Sequence, residues 1–109
     1  MRARKVDANH SAIIAAIRAF GMGVYDSSAY GGGFPDLVCS YAGQCFLVEI
    51  KDGAKYPSQR KLTEAQVKFH AEWQAKIYII ETVEQANEWC EERKREHERK
   101  SPSNRHEGN

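Results

Sequence analysis

The sequence has no apolar run approaching the ~18 residues that a membrane-spanning helix needs, so a membrane protein is not expected. It has little cysteine. Cys39, Cys45 and Cys90 form no CxxC pair, and one would be left over if the other two were bridged. Cys39 and Cys45 fall in apolar, strand-like runs, where a free thiol behaves as a small buried hydrophobe. A disulfide framework and a zinc site are both disfavoured, and a reducing cytoplasm is expected. The four histidines, His10, His70, His97 and His106, lack the spacing of metal ligands. An excess of one charge is missing as well: sixteen basic side chains face fifteen acidic ones, a net of +1. No global field announces a polyanion, so recognition of nucleic acid would have to come from a local site. The basic start, Met1 to Lys5, runs into an amphipathic segment rather than a uniform apolar one, and a signal peptide is not expected.

What is present suits one domain with one core: 109 residues, 41% hydrophobic and 10% aromatic. Residues 1–6 read as a basic leader. From Asp7, a plausible N-cap, Ile13, Ile14, Ile17 and Phe20 fall at helical spacing, and Gly21 supplies a stop. A short β-prone run covers Gly23 to Asp26. The triglycine Gly31-Gly32-Gly33 suits neither a helix nor a strand interior. Asp36 to Tyr41 and Gln44 to Lys51 are β-prone runs joined at Ala42-Gly43, which predicts a hairpin.

Asp52 to Lys61 is polar and holds Pro57, so it is a loop. Thr63-Glu64-Ala65-Gln66 has the form of a capping box and opens a helix with Val67, Phe69 and Trp73. Ile77 to Ile80 reads as a short, largely buried strand, and Thr82-x-x-Gln85 opens a last helix with Ala86, Trp89 and Cys90. Both tryptophans are expected in the core. The domain is placed at residues 7–92, and the charged stretch 93–109 is expected to fray into a disordered tail. The order α-β-β-β-α-β-α predicts an α/β fold, a mixed sheet flanked by helices.

Chemistry concentrates in the second run of the hairpin. Side chains alternate along a strand, so Phe46, Val48 and Ile50 share one face while Leu47, Glu49 and Lys51 share the other. An acid and a base on an otherwise apolar strand are costly to desolvate without partners. If Ala42-Gly43 is a two-residue turn, Tyr41 pairs with Gln44 and Asp36 comes opposite Glu49, with Cβ atoms about 4.5–5.5 Å apart. A type I turn with a glycine bulge would instead move Asp36 off that face. Two carboxylates so close repel unless a proton or cation lies between them, and a hard divalent ion suits oxygen ligands. Lys51 would sit beside the ion and attend a water, which is the equipment of a phosphodiester hydrolase. The triglycine loop leaves room at Gly32 and Gly33 for a sugar-phosphate backbone. Lys55, Arg60, Lys61 and Lys68 either contact phosphates or belong to a solvated loop.

Pro35-Asp36 followed by Glu49-Ile50-Lys51 resembles the signature of the PD-(D/E)XK nuclease superfamily. More narrowly, Gly33-Phe34-Pro35-Asp36, Glu49-Ile50-Lys51 and Leu62-Thr63 with Gln66 are similar to virus-type replication-repair nuclease (VRR-NUC) domains. The Asp7-Ala8-Asn9 opening resembles small phage-encoded proteins of that kind, and the resemblance spans roughly residues 7 to 90. It implies a restriction-endonuclease-like core, dependence on Mg2+ or Mn2+, and endonucleolytic cleavage of DNA. Some stand-alone relatives are homodimers that cut branched DNA, as Holliday-junction resolvases do. By this resemblance Asp36 and Glu49 would ligate metal with the Ile50 carbonyl as a third ligand. Lys51 would attend the nucleophilic water, and Gln66 would support the site.

Gln66 is equally the N3 member of its capping box, and the structure must choose. Many relatives carry a glutamate in the first helix; here only Asp7 or Asn9 could stand in. That departure keeps a rival open, a catalytically silent relative that binds DNA or a replication and repair partner. A small α/β interaction module with accidental acids is a third reading.

Overall fold

In the computed structural model, which describes residues 7–100, the chain is a mixed α/β fold with three helices and one four-stranded mixed sheet. The basic leader expected at 1–6 and the tail residues 101–109 lie outside the described residues. The elements are α1 (His10–Phe20), β1 (Gly23–Asp26), β2 (Leu37–Tyr41), β3 (Gln44–Ile50), a 3-10 turn (Pro57–Gln59), α2 (Glu64–Glu72), β4 (Ile77–Ile80) and α3 (Val83–Lys100). The strands lie in the order β1-β2-β3-β4, antiparallel at the first two junctions and parallel at β3–β4. A hairpin turn suffices between β2 and β3, whereas the parallel pair needs the longer crossover that contains α2.

One face of the sheet is the core. Leu37 and Cys39 of β2, Val48 and Ile50 of β3 and Ile80 of β4 meet Ile13, Ile14 and Ile17 of α1 and Ala86, Trp89 and Cys90 of α3. The alternation of side chains along each strand selects these residues, and the helical spacing of the isoleucines selects the face of α1. Burial pushes the Cys39 thiol up to about 12, with Cys90 adding to it, and the Cys90 thiol to about 11. Cys45, expected to be buried, is exposed. It belongs to the other face of β3, next to the hairpin turn, where the strand is exposed.

Three boundaries and burials differ from expectation. Helix α1 begins at His10 with Asn9, not Asp7, in the N-cap position. Asp7 contributes its backbone carbonyl to the amide of His10 (3.1 Å). Strand β4 is less buried than expected, since Ile79 is exposed on the open face and only Ile80 is fully enclosed.

The last helix runs through residues 93–100, well beyond the expected domain end at residue 92. Its charged sequence conceals a stripe at i, i+4 spacing, Trp89, Arg93 and His97. The Arg93 guanidinium lies 4.6 Å from the Tyr78 ring centroid and also over Phe46 and Trp89, and His97 meets Tyr41 edge-on. These cation–π and ring contacts anchor a segment that composition alone marks as solvated.

No helix among the described residues is long and apolar enough to cross a membrane.

Candidate active site

The hairpin turn decides the register. Ala42 (φ 52°) and Gly43 (φ 82°) both have positive φ, as a two-residue type I′ turn requires. The ladder accordingly pairs Tyr41 with Gln44 and continues to Leu37 with Val48. Continued by one step, that register would bring Asp36 opposite Glu49, and alternation puts both on the face opposite the core. Ser27 holds this step in place: its amide donates to the Asp36 carbonyl (2.8 Å) and its buried hydroxyl to the Pro35 carbonyl (2.8 Å). Upstream, Asp26 accepts from Ser28 and meets His10 at 3.2 Å. Burial alone would raise the Asp26 carboxyl, but the Ser28 hydroxyl and amide, with His10, hold it below its ordinary value.

Asp36 (6% exposed), Glu49 (1%) and Gln66 (3%) form a buried polar group on the face away from the core. The Asp36 Oδ2 accepts the Ile50 amide at 2.8 Å, a bond that bends the first carboxylate toward the C-terminal end of β3. The carbonyl of a strand residue points to the same side as its own amide, so the Ile50 carbonyl leaves toward Asp36 as well. Gln66 joins Glu49 to Lys51. Its Nε2 donates to Glu49 Oε2 at 2.6 Å, and its Oε1 accepts from Lys51 Nζ at 2.9 Å. The same oxygen accepts the Thr63 amide (2.9 Å), while the Gln66 amide donates to the Thr63 hydroxyl (3.2 Å). Gln66 is therefore both cap and bridge. The orientation of its amide follows from its partners, two donors at the oxygen and a carboxylate at the nitrogen.

Gly33 explains how this helix end reaches the site. A Cβ there would meet the Ala65 carbonyl and come within 3.1 Å of the Gln66 nitrogen, and its φ is +85°. Only glycine lets the loop carrying Pro35 and Asp36 press against the first turn of α2. Gly33 is thus buried against protein, while Gly32 is exposed with open space around it.

Asn9 lies at the far end of the group. Its Nδ2 donates to the carbonyls of Lys51 (3.2 Å) and Glu81 (2.7 Å), tying the start of α1 to the ends of β3 and β4. Among the described residues its buried Oδ1 has no hydrogen-bond partner. Asp7 lies apart from the carboxylates, 3.5 Å from Lys55 Nζ on the surface. Of the four basic residues read as either phosphate contacts or solvated loop, Lys55 faces Asp7 and Arg60 faces Glu81 (3.2 Å), while Lys61 and Lys68 are exposed.

His70 lies one helical turn beyond Gln66 and is half-buried. Burial and the nearby Lys51 ammonium hold its imidazole below its ordinary value, and its Nε2 is buried without a hydrogen-bond partner among the described residues.

The donor set fits a hard divalent cation. Two buried carboxylates and a carbonyl offer oxygen only, with no thiolate near. Among the described residues no group of three or more His, Cys, Asp or Glu could hold a metal ion, so water would have to complete the coordination.

No protein-family model matches the chain, and no curated protein or solved structure is similar to it.

Proposed function

We propose that this chain is a metal-dependent nuclease that hydrolyses phosphodiester bonds of DNA, with Mg2+ or Mn2+ held by Asp36, Glu49 and the Ile50 carbonyl. The sheet and its helices are read as a small version of the PD-(D/E)XK core, and the reducing cytoplasm as its compartment. The observation that carries the reading is the Gln66 bridge, in which one buried amide holds both Glu49 and Lys51. A cross-strand ion pair on a solvated face would need no such support. Here a glutamate, a glutamine and an aspartate are withdrawn from water, a costly arrangement that a folding role does not require.

Lys51 orients the attacking water, and its positive charge offsets charge developing on the phosphoryl oxygens. As the water oxygen bonds to phosphorus the water releases a proton to solvent, the ester bond to the leaving oxygen breaks, and solvent returns a proton to that oxygen. Gln66 keeps Lys51 and Glu49 at fixed separation, and the Asp36–Ile50 contact keeps the first carboxylate on the same strand end. A bound cation would lower the pKa of the water and stabilise the charged transition state. Branched or otherwise structured DNA and a homodimeric state are the proposed context.

Purified protein with Mg2+ or Mn2+ should cut one or more of a panel of synthetic forks, flaps, junctions and duplexes. Lys51→Ala should slow cleavage roughly 10²–10³-fold while circular dichroism stays unchanged. Cleavage that persists in the variant, or no cleavage with either ion, rejects the reading.

Asn9 favours a second reading. With its amide nitrogen committed to two carbonyls and only two acids in the group, a catalytically silent DNA-binding relative is the alternative. Retardation of DNA without cutting would select it.

A further inference from the structure

Five aromatic rings form a continuous file beside the candidate site. Tyr25 of β1 lies 6.2 Å from Tyr30, Tyr30 lies 5.9 Å from Phe34, and Phe34 meets Phe69 of α2 at 5.5 Å. Phe69 is stacked on Trp73 at 5.3 Å, with the planes 19° apart. The two phenols are joined by a hydrogen bond of 3.0 Å. Tyr30 is 65% exposed, Tyr25 55% and Trp73 43%. Trp73 was expected in the core, but α2 ends at Glu72 and Trp73 turns into extended backbone (φ −76°, ψ 131°). Its ring leaves the helix and caps the file. None of the five belongs to the core cluster, which is complete on the other face of the sheet.

The file is joined to the site at two points. Phe34 precedes Pro35-Asp36 in the chain, and Phe69 lies one helical turn beyond Gln66. Exposed Gly32 stands within the loop between Tyr30 and Phe34, and exposed Lys68 precedes Phe69 on α2. Three exposed rings on a half-buried Phe34–Phe69 base, an unobstructed glycine and an exposed lysine suit a strand of nucleic acid whose bases are unpaired. Base–aromatic stacking accepts any base, because each presents a π-face, and cations beside the rings follow the phosphates.

We infer that Tyr25, Tyr30, Phe34, Phe69 and Trp73 form a stacking platform for unpaired bases of the DNA strand whose phosphate enters the Asp36–Glu49 site. The inference rests on the nuclease reading and narrows its substrate to DNA with a single-stranded segment next to the cut. Paired bases are already stacked within a duplex and present no open face to the rings.

The test uses the full chain in EDTA, so that binding is read without cutting. The probes are a fluorescein-labelled twelve-residue oligothymidylate, an abasic strand of the same length, and a blunt duplex. The abasic strand keeps every phosphate and lacks the bases. Oligothymidylate should bind about tenfold or more tightly than the abasic strand, and Tyr30→Ala should remove most of that difference while leaving abasic binding unchanged. Oligothymidylate should also quench tryptophan fluorescence, and Trp73→Phe should abolish the quench, since Trp89 is buried.

Equal binding of the two single strands overturns the inference. So does a Tyr30→Ala loss that is the same for both, or a failure of the chain to bind DNA at all. Sedimentation showing a dimer that Tyr30→Ala dissociates would overturn it in favour of a contact between two copies of the chain. Cleavage in Mg2+ on the panel of forks, flaps, junctions and duplexes separates the two failures. Cutting without base dependence sinks the platform alone, and base-dependent binding without cutting sinks the nuclease reading alone.

Discussion

The core face of the sheet is closed by two helices, α1 and α3, whereas on the other face α2 meets Glu49 through Gln66 and part of the strand surface stays exposed. On the closed face the strands present Leu37, Cys39, Val48, Ile50 and Ile80, all buried among apolar partners. On the open face Glu49 is buried by its bond to Gln66, while Cys45 and Ile79 are exposed. The same strand therefore serves stability on one side and chemistry on the other. Apolar burial needs area and close packing. Polar burial needs a partner for each atom, and one well-placed glutamine supplies several.

The sharpest way to break this contrast is on the closed face. Ile17→Ala removes a fully buried side chain from between α1 and the sheet, and should cost about 2–5 kcal/mol in urea-induced unfolding. A change below about 1 kcal/mol would mean that the helices are loosely packed there. The open face should respond less and more selectively. Gln66→Ala takes away the partner of Glu49 and of Lys51 and should cost about 1–3 kcal/mol by the same measurement. Gln85 sits in the other Thr-x-x-Gln motif, exposed, accepting the Glu81 amide at 2.8 Å while its own amide donates to Thr82. Gln85→Ala should cost only about 0.5–1 kcal/mol, the scale of an ordinary cap. Equal losses at the two glutamines would show that Gln66 is a cap and nothing more.

The smallest effect distinguishes the faces without touching stability. Near pH 8 in native buffer, a disulfide reagent should label Cys45 at once. Cys39 and Cys90 should react only after denaturant is added, because burial leaves almost no thiolate at either. Three fast thiols would mean that the core face opens readily.

The two Thr-x-x-Gln motifs also show where sequence reading stops. Both glutamines carry the same local signal, and each helix does start at its threonine cap. Local spacing says that an N3 glutamine reaches back to the cap; it does not say what stands on the far side of the amide. For Gln66 that is Glu49, seventeen positions away in the chain and brought there by the close approach of Gly33 to α2. Trp73 was misjudged for a related reason. It leaves the core because α2 stops one residue before it.

Alternation of apolar residues and the positions of turn-forming residues are local properties, and they determined a mixed sheet with helices, the two faces of β3 and the acids on one of them. Long-range placement decided the rest. Positive φ at Ala42, which alanine does not advertise, chose the two-residue turn over the bulge, and with it the register of β2 against β3. Arg93 became part of the folded body because two rings from other elements, Phe46 and Tyr78, lay beneath it beside Trp89 of its own helix. A residue's neighbours along the chain set its propensity, but its desolvation and its hydrogen-bond partners depend on groups that only the folded chain brings near.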